Sequence, residues 1–164
     1  MPTVIYKVGD DISTDVIYPG RFMATVLPTE TPLLAFADDA GFNAKLKAKQ
    51  FPPGSVILGG QNFGCGSSRE QAVSCLKGHE LTIVAKSYAR IFLQNSINLG
   101  LRVVSCPLIE SNVGDDLEVT PTAIVNRTSG KEFFTIALPK SRQAIIDAGG
   151  LIPFTRQRLL DSTA

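Results

Sequence analysis

The 164 residues predict an α/β domain built on a parallel sheet, with a β-hairpin layer added near the C-terminus. Three observations carry this. The middle of the chain alternates strand, helix, strand, helix, strand, the order that builds a parallel sheet. The run Ser55-Val56-Ile57-Leu58 is short and apolar, as a buried strand is. Beyond residue 116 the pattern changes to short strands around a Ser129-Gly130 turn. The length suits one domain over 1–164 with a proper core.

Thr3–Val8 alternates enough to be the first strand, and Gly9-Asp10-Asp11-Ile12-Ser13-Thr14-Asp15 follows as a polar turn. Pro19-Gly20 punctuates a second loop. Residues 29–50 read as helical in pieces, and Lys45, Lys47 and Lys49 form a solvated helix face. Phe51-Pro52-Pro53-Gly54 turns the chain into the Ser55–Leu58 strand. A helix is expected over 69–77, with Gly78 as its C-terminal stop. Leu81–Ala85 is the next strand. Ser87 is expected to cap a helix whose apolar positions Tyr88, Ile91, Phe92 and Ile97 recur at helical spacing and which ends at Gly100. Leu101–Val104 is a further strand. Leu117–Thr120, Ala123–Thr128 and Glu132–Ala137 read as short strands, the last two a hairpin, and Ser141 caps a final helix ending at Gly149-Gly150.

Composition excludes several classes. A formal net charge of +1 gives no footprint for nucleic acid. No apolar run reaches bilayer-spanning length, so no membrane partner is expected. The first residues, Met1-Pro2-Thr3-Val4-Ile5-Tyr6-Lys7, lack a signal-peptide pattern, and a cytoplasmic protein is expected. Cys65, Cys75 and Cys106 are too few and too irregularly spaced for a disulfide framework or a zinc site. They also lack the close cluster an iron–sulfur centre usually takes from one chain. With His79 the lone histidine, and read as a surface residue, no metal ligand is assigned.

The chemistry concentrates in Gly59-Gly60-Gln61-Asn62-Phe63-Gly64-Cys65-Gly66-Ser67-Ser68-Arg69-Glu70-Gln71-Ala72. A glycine-rich turn delivers two serines and an arginine to an expected helix N-terminus, a setting that binds anions. An arginine fork there suits a carboxylate or a phosphate. Ser67 and Glu70 also have the spacing of a capping box, so a purely structural role is available to them. Four glycines and the adjacent Arg69 exceed what a cap requires. A serine acts as a base only if donors and positive charge stabilise its alkoxide. No histidine neighbours it in sequence, which argues against a catalytic triad, and the phosphate-loop and dinucleotide patterns also fail. Cys65 reads as a small lining residue. Acidic residues in the 9–15 turn are ordinarily solvated turn-formers, although Asp15 could orient a catalytic group.

Three blocks together resemble the small subunit of the aconitase-type hydro-lyases, the family holding isopropylmalate isomerase and homoaconitase. They are Gly9-Asp10-Asp11-Ile12-Ser13-Thr14-Asp15-Val16-Ile17-Tyr18-Pro19-Gly20-Arg21-Phe22, the Asn62–Ala72 segment, and Ala85-Lys86-Ser87-Tyr88-Ala89-Arg90-Ile91-Phe92. The resemblance covers about residues 8–106 and implies a swivelling β/β/α domain. It implies a large-subunit partner holding a [4Fe–4S] cluster, in a heterodimer or heterotetramer, with a small hydroxy diacid as substrate. It implies that Ser67 is the base, that Ser68 and Arg69 hold a substrate carboxylate, and that Asp15 belongs to the side handling the hydroxyl. A cluster iron would act as a Lewis acid on the substrate hydroxyl and carboxylate.

In two-subunit relatives the loop after the Pro-Gly block contacts the variable substituent; here it brings Phe22, Met23 and Ala24. Homoaconitase-like subunits place an arginine near Ala24, so a branched alkyl group is the better fit, with Arg21 close enough to keep an acidic one open. Met23 and Val26 could instead be core residues. The expected reaction is isomerisation of 2-isopropylmalate to 3-isopropylmalate through an alkene. The alternatives are a simple dehydratase, the same chemistry on 2,3-dimethylmalate, citramalate or homoaconitate, or a non-catalytic anion-binding regulatory module.

Overall fold

The computed structural model describes residues 1–163; Ala164, the last residue of the expected domain, lies outside the described residues. Four short parallel strands, β1 (Val4–Lys7), β2 (Val56–Gly59), β3 (Thr82–Ala85) and β4 (Arg102–Ser105), lie side by side in chain order. Every residue of β2 and β3 is buried. The reason is that both faces of this sheet are covered. Successive side chains alternate between the covers. Val56, Leu58 and Val84 enter a cluster shared with Leu117 and Ile124 of a second sheet. Ile57, Ile83 and Ala85 enter the larger cluster under the helices. The register slips between Val4 and Tyr6, and the neighbours Ile5 and Tyr6 both pack on the helix side.

The second sheet is antiparallel and has three strands, β5 (Leu117–Val119), β6 (Ala123–Asn126) and β7 (Glu132–Phe134), the three short strands expected from the sequence, with β6 and β7 as the hairpin. Isolated bridges Thr3–Asp116 and Ser105–Ile136 tie its margins to the first sheet. On the other face lie α1 (Thr14–Ile17), α2 (Ala40–Lys47), α3 (Gln71–Lys77), α4 (Arg90–Leu99), α5 (Lys140–Asp147) and α6 (Leu151–Ser162), with 3₁₀ turns at Gly20–Phe22 and Thr31–Leu34. The architecture is β/β/α, as expected.

Several local expectations are corrected. Ser67 does not cap α3: the helix opens at Gln71, and its cap position, Glu70, makes no side-chain capping bond. Ser87 does not cap α4, whose cap position is Ala89. Instead its hydroxyl accepts from the Asn62 amide at 2.8 Å and donates to Gln61 Oε1 at 2.8 Å. Tyr88 precedes α4, and its phenol lies 2.8 Å from the Ile83 carbonyl and 2.9 Å from that of Val104. Ile91 is exposed.

Gly78 does follow α3, but in right-handed helical conformation; its constraint is contact, since a Cβ there would lie 2.2 Å from Pro32 Cγ. Gly100 ends α4 in the left-handed region, as glycine permits. Ser141 lies inside α5 rather than capping it, and Gly149-Gly150 is a junction into α6, which has no buried residue. His79 is half-buried, with Nε2 2.8 Å from the Pro32 carbonyl. No described helix is long and apolar enough to cross a membrane.

Candidate functional site

Two loops leave the C-terminal ends of the adjacent strands β1 and β2, where open parallel sheets present ligand sites. They are stitched by backbone hydrogen bonds. Gly64 N–H donates to the Ile12 carbonyl at 2.8 Å, Asp11 N–H to Gln61 at 2.9 Å, and Thr14 N–H to Cys65 at 2.8 Å. Glycine crowding here serves this packing. A Cβ on Gly59 would meet Phe63 at 2.5 Å, one on Gly60 would meet Asp10 at 2.1 Å, and one on Gly64 would meet Phe92 at 2.2 Å. Gly64 also has φ +83°, which side chains rarely adopt. These glycines, more than a cap requires, are thus explained by the chain itself, which fills most of the space beside them.

Ser67, Ser68 and Arg69 therefore sit on a loop ahead of α3. Their amides have no intrachain acceptor among the described residues. What this point offers an anion is free amides and one guanidinium, with little help from a helix of only 7 residues. Arg69 is held firmly. Its Nη1 donates to Asp15 Oδ1 at 2.9 Å and to the Tyr18 carbonyl at 3.0 Å. Its side chain is 14% exposed, and its buried Nε has no partner, so the fork keeps an unused donor.

Asp15 stands in α1, which Ser13 caps through a bond from the Val16 amide. Its Oδ1 also accepts from the Gly20 amide at 2.7 Å, while Oδ2 makes no bond among the described residues. The Arg69 bond first, then the Gly20 bond, hold the Asp15 carboxyl below its ordinary range. It is an ionised, solvent-facing carboxylate beside a nearly buried guanidinium.

An open cavity of about 540 Å³ is lined by Ser67, Ser68, Arg69, Glu70 and Gln71 on one side and by Met23, Val26, Pro28 and Leu99 on another. The geometry thus joins Ser67, Ser68, Arg69 and Met23, with Asp15 tied to Arg69 at its margin. Phe22 and Ala24 are not on the cavity wall. Phe22 is half-buried with the Arg21 guanidinium 4.5 Å from its ring centre, and Ala24 is exposed. Arg21 itself pairs with Asp38 at 2.5 Å. Met23 and Val26 are exposed, so they are not core residues.

Sequence reasoning gave no role to the residues that hold this loop. The hydroxyl of the buried Tyr18 lies 3.1 Å from the Phe22 carbonyl and 3.0 Å from that of Thr25. Gln71 Nε2 donates to the Met23 carbonyl at 3.1 Å, and Asn95 Nδ2 to that of Ser68 at 3.2 Å. No local pattern announces such partners, which lie up to 48 residues away in the Gln71–Met23 case.

The three thiols are free. Burial pushes the Cys75 thiol up, and that of Cys106 up to about 11, which keeps both protonated at neutral pH. Among the described residues no group of three His, Cys, Asp or Glu side chains is placed to hold a metal ion.

Known proteins resemble this chain in sequence and in fold. The family described as Aconitase C-terminal domain matches residues 34–107. The 3-isopropylmalate dehydratase small subunit of Thermodesulfovibrio yellowstonii is 41% identical, over 94% of this chain and 93% of that one. The isopropylmalate/citramalate isomerase small subunit of Methanocaldococcus jannaschii is 38% identical, over 96% and 95%. A crystal structure of a 3-isopropylmalate dehydratase from the same archaeon superimposes with a TM-score of 0.88 at 36% identity, covering 98% of this chain and 96% of that one.

Proposed function

Since the chain belongs to the family of the 3-isopropylmalate dehydratase small subunits, hydro-lyase components that work with a large subunit, we propose that its reaction interconverts 2- and 3-isopropylmalate through an alkene. The observation that supports this substrate is the cavity itself: serines and a guanidinium stand on one side, Met23, Val26, Pro28 and Leu99 on another. A malate carboxylate suits the first, and a branched alkyl group the second.

In this reading Ser67 is the base that removes the α-proton. Its alkoxide is supported by the free amides of the loop and by Arg69. Ser68 and the Arg69 guanidinium, through its Nη2, free among the described residues, hold a substrate carboxylate, while the Asp15 and Tyr18 bonds to Nη1 keep the guanidinium in place. The free Oδ2 of Asp15 faces the substrate hydroxyl. Met23 lines the alkyl side, with Phe22 and Ala24 shaping the loop that carries it.

We assign a [4Fe–4S] cluster to the large subunit. The donor set of this chain does not suit one: Cys75 and Cys106 are buried and protonated, and among the described residues no three His, Cys, Asp or Glu side chains are grouped to hold a metal ion. We also take residues 1–164 as one swivelling domain that acts in the cytoplasm, paired with the large subunit as a heterodimer or heterotetramer.

The test is an anaerobic assay of this chain mixed with a cluster-loaded large subunit, reading alkene absorbance with isopropylmalate, 2,3-dimethylmalate, citramalate and homocitrate. Turnover of isopropylmalate above the others, requiring both chains, is expected. Preference for citramalate would reassign the substrate. No turnover of any of the four by an intact complex would overturn the reading.

A further inference from the structure

We infer that Thr14 is a positioning residue for the serine base, and that its hydroxyl turns between two acceptors on Ser67 as that base gains and loses charge. The inference rests on the assignment of Ser67 as base. Thr14 is the first residue of α1 and is 2% exposed, unusual for a polar residue in a site loop. Its backbone is fixed on both sides: its N–H donates to the Cys65 carbonyl at 2.8 Å, and its carbonyl accepts from Tyr18 N–H at 2.8 Å. Its Oγ1 lies 3.2 Å from the Ser67 carbonyl oxygen and 3.2 Å from Ser67 Oγ.

A hydroxyl has one proton to give and two lone pairs to accept with. While Ser67 is a neutral hydroxyl, Thr14 donates to the Ser67 carbonyl and accepts from Ser67 Oγ. Both protons are then satisfied. Once Ser67 is an alkoxide it has no proton to offer and is the stronger acceptor. Thr14 then turns its O–H onto Oγ, a charge-assisted bond about twice as strong as the neutral one. No heavy atom needs to move, because both acceptors are already at equal distance. When the alkoxide takes the substrate proton, the C–H bond breaks and the Ser67 O–H forms. The electron pair left on carbon becomes the second bond of the alkene as the C–O bond breaks and the hydroxyl leaves with its own pair, and Thr14 turns back to the carbonyl. Return of the Ser67 proton to the alkene on rehydration regenerates the alkoxide. The Thr14 proton is never transferred.

The charged groups around Ser67 are Arg69 and Glu70 of its own loop, which share its cavity, and Asp15 of α1, paired with Arg69. The residue of α4 that reaches the loop, Asn95, is neutral. None of these charges changes when Thr14 loses its hydroxyl, so a shift in the pH profile isolates that hydroxyl.

The experiment compares Thr14→Val, Thr14→Ala and Thr14→Ser in the two-subunit enzyme, with Ser67→Ala as reference. Thr14→Val is expected to lower kcat about 10- to 100-fold near neutral pH. KM should stay within about twofold, as for a group that acts mainly after substrate is bound. The rising limb of the pH profile should move up by about one unit. Thr14→Ser should restore both. Thr14→Ala, a second variant without the hydroxyl, carries the test if Thr14→Val fails to assemble. An unmoved limb in a folded hydroxyl-free variant, with Ser67→Ala inactive, overturns the Thr14 inference and leaves the base assignment standing. An active Ser67→Ala enzyme overturns both.

Discussion

The two additions to the parallel sheet are attached by different physics. The β5–β7 sheet is held on a face by buried apolar side chains, Leu117 and Ile124 meeting Val56, Leu58 and Val84. The loops at 9–27 and 59–71 stand at the strand ends, root themselves in the core through Ile17, Tyr18 and Phe63, and are fixed in detail by hydrogen bonds, many to backbone carbonyls. Apolar packing is non-directional, so it supports a layer without fixing any one atom. Hydrogen bonds fix atoms, and a site that moves a proton needs fixed atoms. The contrast teaches where a substitution should be felt: in turnover on the loops, in stability on the second sheet.

Four substitutions can break or sharpen that contrast. Ser67→Ala should lower kcat by about 10²–10⁴-fold, the usual range for a general base, while the melting temperature and assembly hold. Near-native turnover would remove Ser67 from the mechanism. Ile124→Ala in the second sheet should do the reverse, lowering unfolding free energy by about 2–5 kcal/mol with kcat/KM of the folded enzyme nearly unchanged. A loss of activity without loss of stability there would merge the two regions into one. Arg69→Lys should raise KM about tenfold with a smaller change in kcat, because an ammonium cannot reproduce the fork.

Asp15→Asn should give the smallest effect on stability, visible only in acid. The folded-state pKa of Asp15 is depressed. Its contribution to stability is therefore present above the ordinary carboxylate range and lost as pH falls through the folded value. Acid unfolding curves of the variant should show a flatter dependence on pH below about 4. An unchanged acid limb would mean that the Arg69–Asp15 pair contributes nothing to stability.

How much of this was legible depended on whether a residue's role is local. The parallel core was legible because strands buried on both faces must be apolar at successive positions, as Val56-Ile57-Leu58 is. The glycine turn was legible as an unusual place, although the reason for its glycines was not: Phe63, Asp10 and Phe92 fill the space beside them. Ser67 and Ser87 look like caps to any local rule. Each turns instead to a partner far along the chain, Ser67 to Thr14 and Ser87 to Gln61 and Asn62. Helix α6 left no apolar periodicity to read because it buries nothing, and Ile152 is 73% exposed. The Arg69–Asp15 pair was expected only as two separate members of one site; that they touch is a tertiary fact.

The bonds that Tyr18 and Gln71 make to the 20–27 loop have one feature in common: they end on the carbonyls of Phe22, Met23 and Thr25. A carbonyl is the same in every amino acid. The anchoring is therefore indifferent to what side chains the loop carries, and the exposed Met23 and Ala24 are free to drift by mutation without unmooring the serines and arginine opposite. Such a loop behaves as an interchangeable cassette, and it gives descendants of one scaffold a short evolutionary path from one hydroxy acid to the next.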